Sequence, residues 1–489
     1  MMIEPTKRRF YLQTENDRKK SKHHTENACV KVKHSLGLQP YGNLYLEQPE
    51  TISNSAKMRS RLLGYFAVLP DEMISMLCQM LDAPELRNLG YTSRIFAMFA
   101  TQDDLWKQLF VNKGLAPTKW YGTWRRTYYG LDEANEAKLR CDGFYSDVLY
   151  RPFFCAAMNM TEYIRNAASS TPKIPRLTTC PNLEEFNDQW ATRPFILESH
   201  PWPSWTITDL EREYGKTEFI QECVRWKLDV YGEYMRQNSD ESPLYLFDRE
   251  IGNKTSLAKY SIPNIFETDC FKLLDRIRPD YRWLIIGPER SGSTFHKDPN
   301  STSAWNAVIE GEKYWIMFPP NTLPPGVYTS EDESEVTSPL SIAEWILGFH
   351  KEAMNVPGYI DGFCKAGEVV YVPSGWWHLV VNLSSTAALT QNFVPFPHAL
   401  NVLKFFHNKK DQISGFRTTN HSDEDENEKP DIDVFDEFLQ RINTATDVPS
   451  SMKARINDWV AGLDRASKWT RLTDDKATGF SFGFDVDSE

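Results

Sequence analysis

Between residues 181 and 400 the chain keeps returning to one short pattern. RPFILES, SPLYLFD, YRWLIIG, EKYWIMF, EVVYVP, HLVVNL and AALTQNF are brief runs of aromatic and β-branched residues, each bounded by Gly, Pro, Asn or Ser. Many short strands with turns between them argue for a sandwich or a double-stranded barrel. Helical interludes at 207–238 and 340–352 interrupt the series.

Inside that region, STFHKDPNSTSAWNAVIEGEKYWIMF (293–318) sets a histidine and an aspartate two positions apart. On an extended segment residues i and i+2 share a face, so His296 and Asp298 can reach one ion while Lys297 points away. Two ligands are not a site. GEVVYVPSGWWHLVVNL offers a third, because His378 follows a Pro-Ser-Gly turn and opens another apolar strand. Two histidines and one carboxylate make the facial triad of non-haem Fe(II) oxygenases, which keeps positions open for a chelating co-substrate and O2. In EGEKYWIMF, alternation places Lys313 with Trp315 and Met317 on one face and Tyr314, Ile316 and Phe318 on the other. A buried ammonium is costly unless paired, and a carboxylate-bearing ligand would supply the pair. An edge lysine snorkelling to water is the plainer reading of that residue alone. Each histidine, too, is more often structural when taken singly. The signal lies in the conjunction.

A chain of 489 residues exceeds one ordinary domain. Its net charge of -12 argues against direct nucleic-acid binding, which needs clustered Lys and Arg. Neither a long apolar run nor a signal-type h-region occurs. No membrane partner is expected, and the expected location is the nucleus, the cytoplasm or both. The 8 cysteines contain no C-x-x-C pair, so neither a zinc knuckle nor a disulfide framework is indicated. Residues 7–34 are locally basic and fit a nuclear-localisation or anion-binding arm, or a solvated tail.

Residues 62–114 read as short amphipathic helices. Pro70 with Asp71 and Glu72 suits a first turn, and Ile74, Leu77, Cys78 and Leu81 follow helical spacing. Asp82 and Ser93 are candidate caps, Asp103-Asp104 opens a further helix, and Gly114 is a plausible stop. The order Leu69-Pro70-Asp71-Glu72, Leu81, Pro84, Leu86, Arg94 and Asp104-Leu105-Trp106-Lys107 resembles an F-box. That resemblance implies a Skp1-type adaptor docking on residues 69–107.

The stretch from about 182 to 400 resembles a JmjC-domain oxygenase. It is most similar to the phosphatidylserine-receptor-like branch, described as lysyl hydroxylases and proposed arginine demethylases. The similarity rests on SPLYLFD, YRWLIIGPERSGSTFHKDPNSTSAWNAVIEGEKYWIMFP and AGEVVYVPSGWWHLVVNLSSTAALTQNF. It implies Fe(II) held by His296, Asp298 and His378, and 2-oxoglutarate and O2 as co-substrates. Lys313 would pair with the distal carboxylate, Thr390 would be a second anchor, and Asn306 and Tyr245 would complete the pocket. The implied reaction couples oxidative decarboxylation of 2-oxoglutarate to hydroxylation or demethylation of a protein or peptide side chain.

The expected architecture is therefore α+β and multidomain. A basic tail (1–60) precedes a helical F-box (62–114) and a connector (115–180). A cupin-type double-stranded β-helix, or jelly roll, with flanking helices follows (181–400), then an acidic linker and helical C-terminal region (401–489). Two other classes remain open at this level. One is an F-box adaptor whose cupin domain binds or senses without turnover, and the other is a zinc-holding cupin.

Overall fold

The computed structural model describes residues 34–133, 139–168, 171–250, 260–339, 341–416 and 432–474. The basic arm up to residue 33 and the acidic run through residue 431 lie outside the described residues.

Strands form where the sequence alternates or runs apolar. In chain order they are β1 (Arg176–Leu177), β2 (Phe195–Leu197), β3 (Glu218–Gln221), β4 (Val224–Lys227), β5 (Leu246–Asp248), β6 (Arg282–Gly287), β7 (Gly292–His296), β8 (Ser303–Glu310) and β9 (Glu312–Phe318). A small hairpin, β10 (Tyr328–Thr329) and β11 (Val336–Thr337), precedes β12 (Ile360–Lys365), β13 (Val369–Val372), β14 (Trp377–Asn382) and β15 (Thr386–Phe393). A nine-stranded sheet has the order β1-β2-β13-β8-β15-β6-β5-β3-β4, and a four-stranded sheet the order β12-β9-β14-β7. Successive strands cross between the two: β6 and β8 lie in the large sheet, β7 and β9 in the small one, and β12 to β15 alternate likewise. This winding is the double-stranded β-helix.

The crossing from β8 to β9 is made by Gly311 alone. Its φ is 85°, and a Cβ there would stand 2.4 Å from the Ser385 carbonyl oxygen, so only glycine fits. Between the sheets, Ala304, Val308, Val370 and Val372 of the large one pack against Trp315, Met317, Cys364 and Val380 of the small one. Tyr314, Ile316 and Phe318 face the other way, into a separate cluster with Trp345 and Tyr359.

The outer face of the large sheet, with Leu246, Leu284, Ile286, Ala307 and Leu389, belongs to one continuous apolar cluster that also holds the F-box core. Helices Asp71–Gln79, Ala83–Thr92, Arg94–Ala100 and Asp103–Asn112 make up that module. A capping box between Asp82 and Glu85 starts the second, and the Ser93 hydroxyl accepts from the Phe96 amide to start the third. The seam is aromatic: Phe110 lies 5.5 Å from Trp124 and 5.8 Å from Trp226, ring to ring. The Trp124 indole donates to Asp240 at 2.8 Å, and the Trp124 amide donates to Asp103 at 3.2 Å. The stretch 115–180 thus supplies the tryptophans that weld the F-box to the sheet.

Two expectations change. Within the stretch taken as a tail, Pro49–Leu63 is a helix. Only Leu63 of that helix is buried, so apolar periodicity could not mark it. It is held instead by Arg59, which donates to Asp71 at 2.6 Å and to the Leu69 carbonyl at 2.7 Å. The interlude at 207–238 is also not wholly helical, since Ile207–Tyr214 and Leu228–Gln237 flank the hairpin of β3 and β4. Phe219, Gln221, Val224 and Trp226 are buried there while Glu218, Arg225 and Lys227 are exposed, a period of two at a sheet edge. The helices Val434–Thr444 and Ser450–Asp474 lie within the C-terminal region expected to be helical.

Candidate metal and co-substrate site

β7 ends on His296, and β14 runs beside it in antiparallel register with His378 opposite. The two imidazole rings are 4.1 Å apart. Asp298 lies just beyond the strand, at the start of a tight turn in which Asn300 and Ser301 have φ of 55° and 56°. The loop is tied down from several sides. Asn300 donates to the Ser414 carbonyl at 2.9 Å, Ser374 to the Ser301 carbonyl at 2.6 Å, and Asn392 to the Thr302 hydroxyl at 2.9 Å. One ligand atom from each of His296, Asp298 and His378 falls within 4.8 Å of the others. Lys297 points away, over the Trp377 ring and 3.0 Å from Glu333.

The donor set suits a divalent cation. Each histidine fixes its tautomer on its own backbone, with His296 Nδ1 2.7 Å from the Thr294 carbonyl and His378 Nδ1 3.0 Å from the Trp376 carbonyl. A ring that donates from Nδ1 presents a bare Nε2 to a metal. Burial, then the neighbouring His296, pushes the His378 imidazole well below its usual range and keeps it neutral. Among the described residues the Asp298 Oδ2 is buried with no hydrogen-bond partner, a bonding demand that a cation would meet.

The second half of the site lies deeper between the sheets. Lys313 is 1% exposed, and its Nζ sits 2.5 Å from the Tyr245 hydroxyl. No carboxylate pairs with it among the described residues, and burial pushes its ammonium down to about 7. Gly287 makes room for Tyr245, since a Cβ there would stand 2.6 Å from the tyrosine ring. On the facing sheet Thr390 and Asn306 are direct partners across β15 and β8. The Thr390 hydroxyl donates to the Trp305 carbonyl at 2.7 Å, which leaves its lone pairs free to accept, and Asn306 Oδ1 is buried without a partner among the described residues. The β14–β9 register sets His378 opposite Met317, so Lys313 starts roughly 13 Å further along its strand. A lysine arm and a short dicarboxylate together fill that gap. All seven residues singled out in the sequence therefore face one interior, with the imidazoles and Asp298 at one end and Lys313 with Tyr245 at the other.

Three features escaped the sequence reading. Asn382 stands opposite Lys313, and Ser291 accepts from its amide at 2.9 Å. A cleft of ≈ 470 Å³ opens at His296 between Glu222, Glu241, Arg290 and Ser341. Asn382 was in principle legible as the third inward position of β14, after His378 and Val380. The cleft residues come from distant turns and carry no common pattern.

Residues 227–399 match the cupin-like domain family and residues 66–112 the F-box-like family. The chain is 35% identical over 442 residues to "Arginine-specific demethylase JMJ22" of Arabidopsis thaliana, covering 86% of each protein. The chain belongs to the JmjC family of iron- and 2-oxoglutarate-dependent oxygenases. A second relative is "Bifunctional arginine demethylase and lysyl-hydroxylase psr-1" of Caenorhabditis elegans, 33% identical over 45% of this chain and 56% of that protein. A third is "2-oxoglutarate and iron-dependent oxygenase JMJD4" of Danio rerio, 31% identical over 36% of this chain and 41% of its own length. Iron held by His296, Asp298 and His378, with 2-oxoglutarate as the source of two electrons, would activate O2 as the oxidant of a substrate C–H bond in this JmjC enzyme. The chain's own groups bind, orient and shield.

Proposed function

We propose that this oxygenase modifies an arginine or lysine side chain of a protein, by hydroxylation or by removal of an N-methyl group. In this reading His296, Asp298 and His378 hold the iron. Lys313, Tyr245, Thr390 and Asn306 hold 2-oxoglutarate, and the substrate side chain enters through the cleft at His296. The observation that carries it is Lys313, a buried amine whose only hydrogen-bond partner among the described residues is the Tyr245 hydroxyl, in the same interior as three converging ligand atoms. A dicarboxylate that also chelates a metal answers both needs at once. No side chain has to act as a nucleophile. The test is succinate formation by the Fe(II)-loaded full chain, stimulated by arginine- or lysine-containing peptides, with mass spectrometry locating the change. Peptide-stimulated turnover that survives His296→Ala overturns the assignment.

The F-box supports a second role alongside the first. Tyr65, Val68, Met76 and Met80 are exposed on its surface, at 98%, 85%, 61% and 80%, and an apolar face of this kind fits a Skp1-type adaptor. Co-purification with the adaptor should be lost in Val68→Asp together with Met76→Asp, while 2-oxoglutarate turnover persists. Capture that survives the double change removes this role and leaves the oxygenase standing.

A further inference from the structure

Asn382 closes β14, and its place beside Lys313 gives it a task. His378, Val380 and Asn382 stand opposite Met317, Trp315 and Lys313 in the β14–β9 register, so the asparagine amide shares the interior with the lysine. Asn382 is 1% exposed, and its Oδ1 is buried with no hydrogen-bond partner among the described residues.

The direction of that amide follows from its neighbours. Asn382 Nδ2 donates to Ser291 Oγ at 2.9 Å. Ser291 has one hydroxyl proton, and it goes to the Pro288 carbonyl at 2.6 Å, so the serine can only accept from Asn382. Turning the amide over would set two acceptors face to face. The carbonyl oxygen is thus held away from Ser291, in the interior, as an acceptor in need of a donor. The main chain is secured separately: the Asn382 amide donates to the Ser291 carbonyl at 2.8 Å, and the Arg290 amide donates to the Asn382 carbonyl at 2.9 Å. Removing the side chain leaves these strand contacts in place.

The supply of donors matches this demand. A lysine ammonium carries three N–H groups and no acceptor. The Tyr245 hydroxyl lies against one, the distal carboxylate of the co-substrate takes another, and one is left. We propose that Asn382 is a positioning residue for the co-substrate: its side-chain carbonyl, unpaired in the structure among the described residues, accepts the remaining Lys313 N–H when the dicarboxylate binds and, with Tyr245, aims the ammonium at it. The inference rests on the reading of the Lys313 pocket as the 2-oxoglutarate site.

The experiment uses the full chain loaded anaerobically with Mn(II), with binding of 2-oxoglutarate and of its analogue N-oxalylglycine followed by calorimetry. Asn382→Ala should weaken dicarboxylate binding roughly tenfold, the loss expected for one hydrogen bond to a charged group. Mn(II) affinity should not change. In turnover, KM for 2-oxoglutarate should rise by the same factor while kcat at saturation stays within about twofold, a split that a general structural defect would not produce. Asn382→Asp, equal in volume, places a carboxylate beside Lys313 and should abolish dicarboxylate binding by occupying the ammonium, so the proposal remains testable if the alanine variant fails to fold. Wild-type dicarboxylate affinity in either folded variant overturns the proposal, as does an equal loss of Mn(II) affinity. A wild-type protein that binds Mn(II) but neither dicarboxylate overturns the pocket reading and this inference with it, whereas wild-type binding unchanged in the variants overturns this inference alone.

Discussion

The two faces of the large sheet are made of the same strands and end in opposite conditions. Outward, Leu246, Leu284, Ile286 and Leu389 meet the F-box helices and the tryptophans of the connector in one unbroken apolar cluster. Inward, the same strands carry Asn306, Thr390 and the approach to Tyr245, facing Lys313, Asn382 and His378. The outer face is covered by the chain itself, and what it leaves unpaired among the described residues is chiefly the indole N–H of Trp120, Trp226 and Trp305 rather than ligand-type groups. The inner face leaves ligand-type groups waiting: among the described residues Asp298 Oδ2, Asn306 Oδ1 and Asn382 Oδ1 have no partner, and Lys313 has no counter-ion. One face has been built for stability and the other for ligands, and substitutions should tell them apart.

The sharpest contrast is in chemistry. His296→Ala should reduce peptide-stimulated succinate formation to background while leaving the thermal midpoint of the metal-free protein nearly unchanged. On the outer face, Trp124→Ala should cost about 3–5 kcal/mol of stability, the usual price of truncating a buried aromatic, visible as a lower urea midpoint. Trp124 is 0% exposed and hydrogen-bonded to Asp240. A small loss there would mean that the F-box folds independently of the sheet.

Lys313→Met should do the reverse of Trp124→Ala. It removes a buried cation whose folded-state ionisation has dropped to about 7, from about 10.4 in an unfolded chain. The metal-free variant should be more stable than wild type by on the order of 1–3 kcal/mol near neutral pH, yet bind no dicarboxylate in calorimetry. A destabilised Lys313→Met would show that the lysine has a structural partner and would blur the distinction between the faces.

The same depression sets a pH dependence with a definite sign. Between about pH 7 and pH 10 the unfolded chain holds a proton on Lys313 that the folded, ligand-free protein has lost, so this residue's contribution makes stability rise with pH across that window. Binding a dicarboxylate needs the ammonium, so affinity should be flat below about pH 7 and fall about tenfold per unit above it. Proton uptake, measured in buffers of different ionisation enthalpy, checks this directly. The smallest effect belongs to the surface. Glu333→Ala removes the partner of Lys297 and Lys409, exposed pairs worth roughly 0.2–1 kcal/mol, and should leave dicarboxylate binding as it was.

The parts of the site that could be read in sequence share one property: they sit on strands whose period of two is clean. EKYWIMF separated Lys313, Trp315 and Met317 from Tyr314, Ile316 and Phe318, and the two clusters are divided along that line. H-x-D before one strand and His378 opening another located the residues that converge. What stayed hidden depends on contacts distant in sequence. The Pro49–Leu63 helix is secured by Arg59 rather than by an apolar stripe. The hairpin of β3 and β4 lies at a sheet edge, where exposed Glu218, Arg225 and Lys227 make its strands look like helix or loop. The weld between Phe110, Trp124 and Trp226 joins three separate segments. Asn382 gives no warning on its own, because an asparagine at the end of a strand is ordinary until its neighbour is known to be Lys313.

The one-residue crossing at Gly311 bears on the order in which the pocket can assemble. Asn306 and Lys313 sit on strands joined by that glycine alone, so opposite walls of the co-substrate pocket are close neighbours along the chain. Closing such a short loop costs little entropy. His296 and His378, by contrast, are brought together only after β8 to β13 have been laid down between them. That glycine hands the chain from one sheet to the other within a single residue, but each wall is held only when β12 to β15 pair with β9 and β8, so the dicarboxylate end and the metal end both wait for the second half of the domain.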